Sequence, residues 1–156
     1  KSTSEDIRIL GNVFTATVDG LTGTMPTGLK QLLVTGCDLS GGFALSILAN
    51  ARYSIQGFSF ANCQIDSITD TVFADNTSAG ISGDSNNWLN LTYLGFYGNA
   101  LNVAGVEGIV EDFYENAPHL SAGTIDLLQS PLATITNAPA TTYKANLIAA
   151  GWTVYS

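Results

Sequence analysis

The chain has 156 residues, 46% of them hydrophobic and 12% charged, a balance that suits one folded domain with a real core and excludes a disordered chain. Its 5 basic residues face 13 acidic ones, for a net charge of −8, which excludes the clustered Lys and Arg footprint of a nucleic-acid binder and docking on anionic lipid. No apolar run approaches the roughly 18 residues of a membrane span, so no membrane insertion is expected.

Taken in chain order, the apolar residues repeat. Ile7 and Ile9 are followed by Asn12 and Phe14. The spacing returns at Leu29, Leu32, Val34, Cys37 and Leu39, and again at Ile55, Phe58, Phe60, Cys63 and Ile65. It is clearest at Leu91, Leu94, Phe96, Asn99 and Leu101, then weakens through Ala122, Ile125, Leu127, Ser130 and Leu132. A partial copy, Ala149, Trp152 and Val154, ends the chain. Each copy is too small to bury its own apolar side, so the copies are expected to stack, with short parallel strands pairing at about 4.7–4.9 Å. Ile9, Val34, Phe60, Phe96 and Leu127 are then expected to line one common sheet. Asn12, Cys37, Cys63, Asn99 and Ser130 are expected to form an inner row in the turns after the strands, where an amide, thiol or hydroxyl satisfies buried backbone groups.

Between strands the chain is expected to return as helix. Val103, Val106, Ile109, Val110 and Phe113 fall at helical spacing, with Asn102 as cap and Pro118 beyond the end. Phe43, Ile47 and Leu48 mark a shorter helix, and Ile68, Val72 and Phe73 another. Near the end, Thr141 or Thr142 is expected to cap a helix carrying Tyr143, Leu147 and Ile148 that Gly151 stops. The long interval between Phe58 and Leu94 holds a loop over 74–87, rich in Ser, Gly, Asn and Asp.

These offsets resemble the pattern L-x-x-L-x-L-x-x-N/C-x-L of the leucine-rich repeat superfamily over nearly the full length, with most intervals in the roughly 20–29 residues of that repeat and two longer ones implying insertions. The fold the resemblance implies is α/β: a solenoid with a short-stranded parallel sheet on its concave side and helices or turns on its convex side, residues 1–156 forming a single domain. The ending over 99–154, with Asn99-Ala100-Leu101-Asn102-Val103, an acidic helix, Ile125-Asp126-Leu127 and Gly151-Trp152-Thr153-Val154, is similar to repeat domains of bacteriophage structural proteins and bacterial surface proteins. Leu21-Thr22-Gly23-Thr24-Met25-Pro26 is similar to a segment of plant-type repeats but stands alone here, and reads as a turn between copies. Because the chain starts at Lys1, it is expected to be a processed product or part of something longer.

What the resemblance implies for function is binding or assembly through the concave sheet. The alternation points Asp6, Arg8, Leu10, Gln31, Leu33 and Thr35 outward, then Gly57, Ser59 and Ala61, then Tyr93, Gly95 and Tyr97, then Thr124, Asp126 and Leu128, and last Thr153 and Tyr155. The expected binding residues are Tyr93, Tyr97 and Tyr155, with Trp88 near them in sequence, together with Arg8 and Asp126. Tyr and Trp are favoured at hot spots because they bury much area and keep a polar handle.

Other chemistry finds little support. Asp75, Asp84, Asn86 and Asn87 carry oxygens, but the D-x-D-x-D-G spacing of a calcium loop is absent, so they read as solvated loop residues. The single histidine, His119, has no G-x-S-x-G elbow and no Cys/His cluster beside it, and reads as a surface-loop residue. Cys37 and Cys63 read as two buried thiols, because parallel Cβ vectors in a stacked row make bridging awkward. The sequons Asn76-Thr77-Ser78 and Asn90-Leu91-Thr92 decide nothing. No cofactor and no metal are expected. The chain is read as a non-enzymatic module on a virion surface, a phage fibre or capsid decoration protein. The partner is another protein or a surface glycan, and a homo-oligomer or larger assembly is open. A secreted, extracellular bacterial adhesin is the second reading, and a fragment of an enzyme the last.

Overall fold

A computed structural model of the chain describes residues 6–10, 25–40, 48, 50–68, 73, 88–116 and 122–156. Its elements in chain order are β1 (Asp6–Leu10), β2 (Gln31–Thr35), β3 (Gly57–Ala61), β4 (Tyr93–Gly95), α1 (Val103–Asn116), β5 (Thr124–Asp126), α2 (Ala138–Ala149) and β6 (Thr153–Tyr155). The fold is α/β. Among the described residues the strands make one six-stranded sheet whose spatial order is the chain order, every pairing parallel. Parallel neighbours need a long crossover between them. Here α1 supplies it between β4 and β5, and α2 between β5 and β6.

The register runs straight across the sheet. Ile7, Leu32, Phe58, Leu94, Ile125 and Val154 occupy one rung, and Ile9, Val34 and Phe60 another. Beyond the short β4 and β5 the ladder continues, with the Phe96 amide donating to the Asp126 carbonyl at 2.8 Å and the Leu127 amide to that of Tyr155 at 2.7 Å. Period-two alternation sends every second residue to one face. Leu32, Val34, Phe58, Phe60, Leu94, Phe96, Ile125 and Leu127 are all buried on it.

A chain of rings joins this face to the helices. Phe60 stacks on Phe96 with centroids 5.9 Å apart, and Phe96 meets Phe58 edge-on at 6.1 Å. Phe58 lies 6.5 Å from Phe73, which meets Trp88 and Phe113, each at 5.1 Å. Phe113 on α1 ends the series against Trp152 at 5.0 Å. Edge-to-face contacts of this kind add to area burial because the ring quadrupoles are complementary.

The turns after the strands share a conformation. Gly36, Asn62 and Gly98 follow equivalent strand positions and all are left-handed, with φ of 69°, 54° and 70°. A Cβ at Gly98 would collide with the Asn62 side chain, so the two turns lie tightly against each other there. Inside the turns, Cys37 and Cys63 are buried and unbridged. Cys63 Sγ donates to the Val34 and Ala61 carbonyls at 3.6 and 3.3 Å, and burial pushes its thiol pKa up. The Asn99 side chain is fully occupied: its Oδ1 accepts from the Cys63 and Ile65 amides, and its Nδ2 donates to the Phe60 and Phe96 carbonyls.

The next member of the row differs from the sequence expectation. Ser130 is exposed, and the inner place belongs to Gln129, whose Nε2 donates to the Phe96 and Leu127 carbonyls at 3.0 and 2.8 Å while its Oε1 accepts from the Leu101 amide. Gln129 sits where Gly98 and Asn62 take a left-handed φ but does not adopt one, so its own side chain turns inward one residue early. The extra methylene lets it reach groups that Asn99 reaches from one place further on. Asn12 lies outside the described residues, as do Phe43, Ile47, Val72, Pro118, His119 and the 74–87 loop.

Both helices bury the stripe their spacing demands, with shifted ends. In α1, Val106, Ile109, Val110 and Phe113 are buried, Val103 is exposed at the first turn, and the Asn102 side chain accepts from the Gly105 amide at 2.9 Å. The cap of α2 is Asn137, not Thr141 or Thr142: Asn137 Oδ1 accepts from the Ala140 amide at 2.7 Å, and Thr141 lies inside the helix, its hydroxyl donating to the Asn137 carbonyl. Pro139 in the first turn is the sequence signal for that earlier start. Tyr143 and Leu147 pack inward, whereas Ile148 points to solvent, and Gly151 at φ 97° ends the helix. Glu107 fastens α2 to α1. Its Oε1 accepts from the amides of Thr136 and Asn137 at 2.6 and 2.8 Å, and its Oε2 from Asn137 Nδ2 at 2.9 Å.

Candidate functional site

The sheet face turned away from the helices is lined by side chains of very unequal size. Along its first rung lie Asp6, Gln31, Gly57, Tyr93, Thr124 and Thr153. Along the second lie Arg8, Leu33, Ser59, Gly95, Asp126 and Tyr155. The hydrogen bonds of Asn62 to the Tyr97 carbonyl and of Gly98 to the Leu128 carbonyl extend a third rung through Thr35, Ala61, Tyr97 and Leu128.

Two glycines let Tyr93 settle on the sheet. A Cβ at Gly95 would stand 2.9 Å from the Tyr93 hydroxyl oxygen, from its Cε1 and from Ser59 Oγ. A Cβ at Gly57 would stand 2.8 Å from Gln31 Oε1 and 3.2 Å from Tyr93 Cβ. The ring therefore lies along the strand over Gly95, and it covers Ser59, which the alternation alone places in solvent but which is only 6% exposed. Burial is the first cause that holds the Tyr93 phenol above its ordinary pKa; the charge of Asp126 pushes the same way, and the Ser59 hydroxyl donating to the phenol oxygen opposes both. Asp126 thus lies within electrostatic reach of Tyr93 across the β4–β5 pair.

Beside the ring is a depression of about 200 Å³, lined among others by Arg8, Gln31, Leu33, Ser59 and Tyr93. On the other side the surface rises into aromatic residues: Tyr97 is 47% exposed and Tyr155 49%, with Leu128 on the rung of Tyr97 also exposed. Arg8 and Asp126 share the second rung with four strand spacings between them, about 19 Å. The face thus carries a cation at the β1 side, a carboxylate among tyrosines at the β5 side, and a hollow of mixed polar and apolar lining between.

Five of the six expected binding residues, Arg8, Tyr93, Tyr97, Asp126 and Tyr155, come together on this face. Trp88 does not. Its ring is 1% exposed and stands edge-on against Phe73, and its backbone turns through a left-handed φ of 62° before β4. Its nearness in sequence to Tyr93 and Tyr97 grouped it with them, but an indole in a turn beneath a sheet buries far more apolar area facing inward. The alternation did not mark the seat of the Tyr93 ring, because that seat arises from missing side chains at Gly57 and Gly95.

The groups collected here are phenols, a hydroxyl, a primary amide, a guanidinium and a carboxylate, suited to stacking and hydrogen bonding. Among the described residues no three His, Cys, Asp or Glu side chains converge as metal ligands would, and no helix is long and apolar enough to cross a membrane. No family model matches the chain, and no curated protein or solved structure matches it.

Proposed function

We propose that the chain is a non-enzymatic binding or assembly module, folded as a leucine-rich-repeat solenoid, whose docking surface is the sheet face carrying Tyr93, Tyr97, Asp126 and Tyr155. The observation that carries the reading is the exposure of three tyrosines and Leu128 on adjacent strands of one sheet face. Isolated apolar or aromatic residues on a surface mean little, whereas a contiguous group rimmed by polar residues marks an interaction site. The solenoid reading is supported by strand order following chain order, by the straight register and by the recurring left-handed turns. The partner is another protein, met through a wet, tyrosine-rich interface.

Placement on a virion surface, as a fibre or decoration protein, rests on the resemblance of the 99–154 segment. It is tested by mass spectrometry and immunogold labelling of purified particles from the source. Label on the particle exterior supports it; label confined to the bacterial envelope moves the chain to the adhesin reading. The docking surface has its own test, the affinity of the chain for isolated particle proteins by interferometry. Replacing Tyr93, Tyr97 and Tyr155 together by Ala is expected to weaken that binding by about two orders of magnitude, as loss of hot-spot aromatics does. Unchanged affinity moves the contact elsewhere.

A further inference from the structure

Asp126 is surrounded on its face by tyrosines. Register places Gly95 on one side of it, with the Tyr93 ring over that glycine, and Tyr155 directly on the other. Tyr97 lies two residues beyond Gly95 along the same strand line, about 8 Å from Asp126 by strand spacing and rise. The carboxylate in their midst is only partly buried and, among the described residues, accepts just the Leu128 amide, at 3.4 Å. That is long for a hydrogen bond to a charged group, and most of the carboxylate's acceptor sites stay open. Arg8 is four strands away, and the Lys144 ammonium is engaged by the Ser156 hydroxyl at 2.8 Å.

We propose that this part of the sheet face takes the guanidinium of an arginine presented by a protein partner, with Asp126 as the fork acceptor and the rings of Tyr97 and Tyr155 as stacking planes. A guanidinium uses both halves of such a site, because its flat face stacks on aromatic rings while its edge offers parallel N–H donors to a carboxylate. A lysine ammonium is a point charge that gains little from the fork. The net charge of −8 favours a basic partner segment and speeds its approach. The inference rests on the reading of this face as a docking surface and names what it docks.

The test is a titration of the isotopically labelled chain, followed by amide NMR, with a blocked Gly-Arg-Gly peptide and its neutral citrulline counterpart. The arginine peptide is expected to shift the Gly95, Asp126 and Leu127 amides saturably and to bind about tenfold more tightly than the citrulline peptide, the difference a charge-assisted fork makes. Asp126→Asn, a substitution on a solvent-facing strand position, is expected to keep the dispersed spectrum and abolish that preference. Tyr155→Ala is expected to weaken the arginine peptide and leave the preference. Equal affinity for the two peptides, shifts confined to another surface, or a preference that survives Asp126→Asn overturns the proposal. Tetramethylammonium binding as well as the arginine peptide also overturns it, since that cation cannot use the fork. If the peptides fail to discriminate while the triple-alanine variant still loses the partner protein, only the arginine assignment falls and the docking surface stands.

Discussion

The amide oxygen of Asn99 accepts a hydrogen bond from the Cys63 backbone at 2.8 Å, although the two residues are 36 apart in sequence. With its bonds to Ile65, Phe60 and Phe96 it ties two successive turns together from the inside. Replacement of Asn99 by Ala strands two buried amides and takes one donor from each of the Phe60 and Phe96 carbonyls, the second of which keeps Gln129 Nε2. Each buried group left without a partner costs about 1–3 kcal/mol, so a loss of about 3 kcal/mol or more is expected in chemical denaturation. A loss within the surface range of about 0.5 kcal/mol contradicts the inner-row role.

Gln129 and Ser130 form a natural comparison. Gln129→Ala removes three buried hydrogen bonds and is expected to cost about 2–3 kcal/mol. Ser130→Ala, at an exposed position, is expected to stay within about 0.5 kcal/mol of the parent. The reverse order in urea midpoints returns Ser130 to the inner row.

Phe96 packs against both Phe58 and Phe60 and has no exposed surface. Its replacement by Ala leaves a cavity under two adjacent strands, and a cost of about 3–5 kcal/mol is expected from equilibrium unfolding. A value below about 1 kcal/mol contradicts a sheet closed over that face.

Glu107 gives a pH signature. The Thr136 amide first, then that of Asn137, hold its carboxyl below the ordinary value of 4.5, against the opposing effect of burial. The folded protein therefore binds this proton more weakly than the unfolded chain. The stabilisation is complete above the unfolded pKa and is lost as pH falls through the folded one. Glu107→Gln is expected to melt below the parent at pH 7, with the gap closing as pH drops below about 4.5. A gap that is constant with pH removes the charge from the latch between α1 and α2.

Much of this was legible because the core is periodic. The rungs through Leu32, Phe58, Leu94 and Ile125 follow from alternation, and Asn99 and Cys63 from an amide or thiol recurring three residues after an inward strand residue. The pattern fails where geometry substitutes for sequence. Gln129 replaces Ser130 because a longer side chain does from one place what a shorter one does from the next, and spacing rules do not register side-chain reach. Trp88 departs from the tyrosine group because nearness in sequence says nothing of a ring that turns under the sheet. On the candidate site the tyrosines follow from alternation, whereas the slot that seats Tyr93 depends on absent atoms at Gly57 and Gly95. The reach of Glu107 to Thr136 and Asn137 joins two elements that only packing brings together.

The most direct test of the proposed docking face is tyrosine footprinting of the chain, free and within the assembly proposed for it, with modification read residue by residue in a mass spectrometer. Tyr97 and Tyr155 are exposed on the sheet face, while Tyr53, 41% exposed in the turn before β3, serves as the internal control. The assembly is predicted to protect Tyr97 and Tyr155 and to leave Tyr53 as reactive as in the free chain. Equal modification of Tyr97 and Tyr155 in both states, or protection of Tyr53 alone, contradicts the assignment of this face as the site of contact.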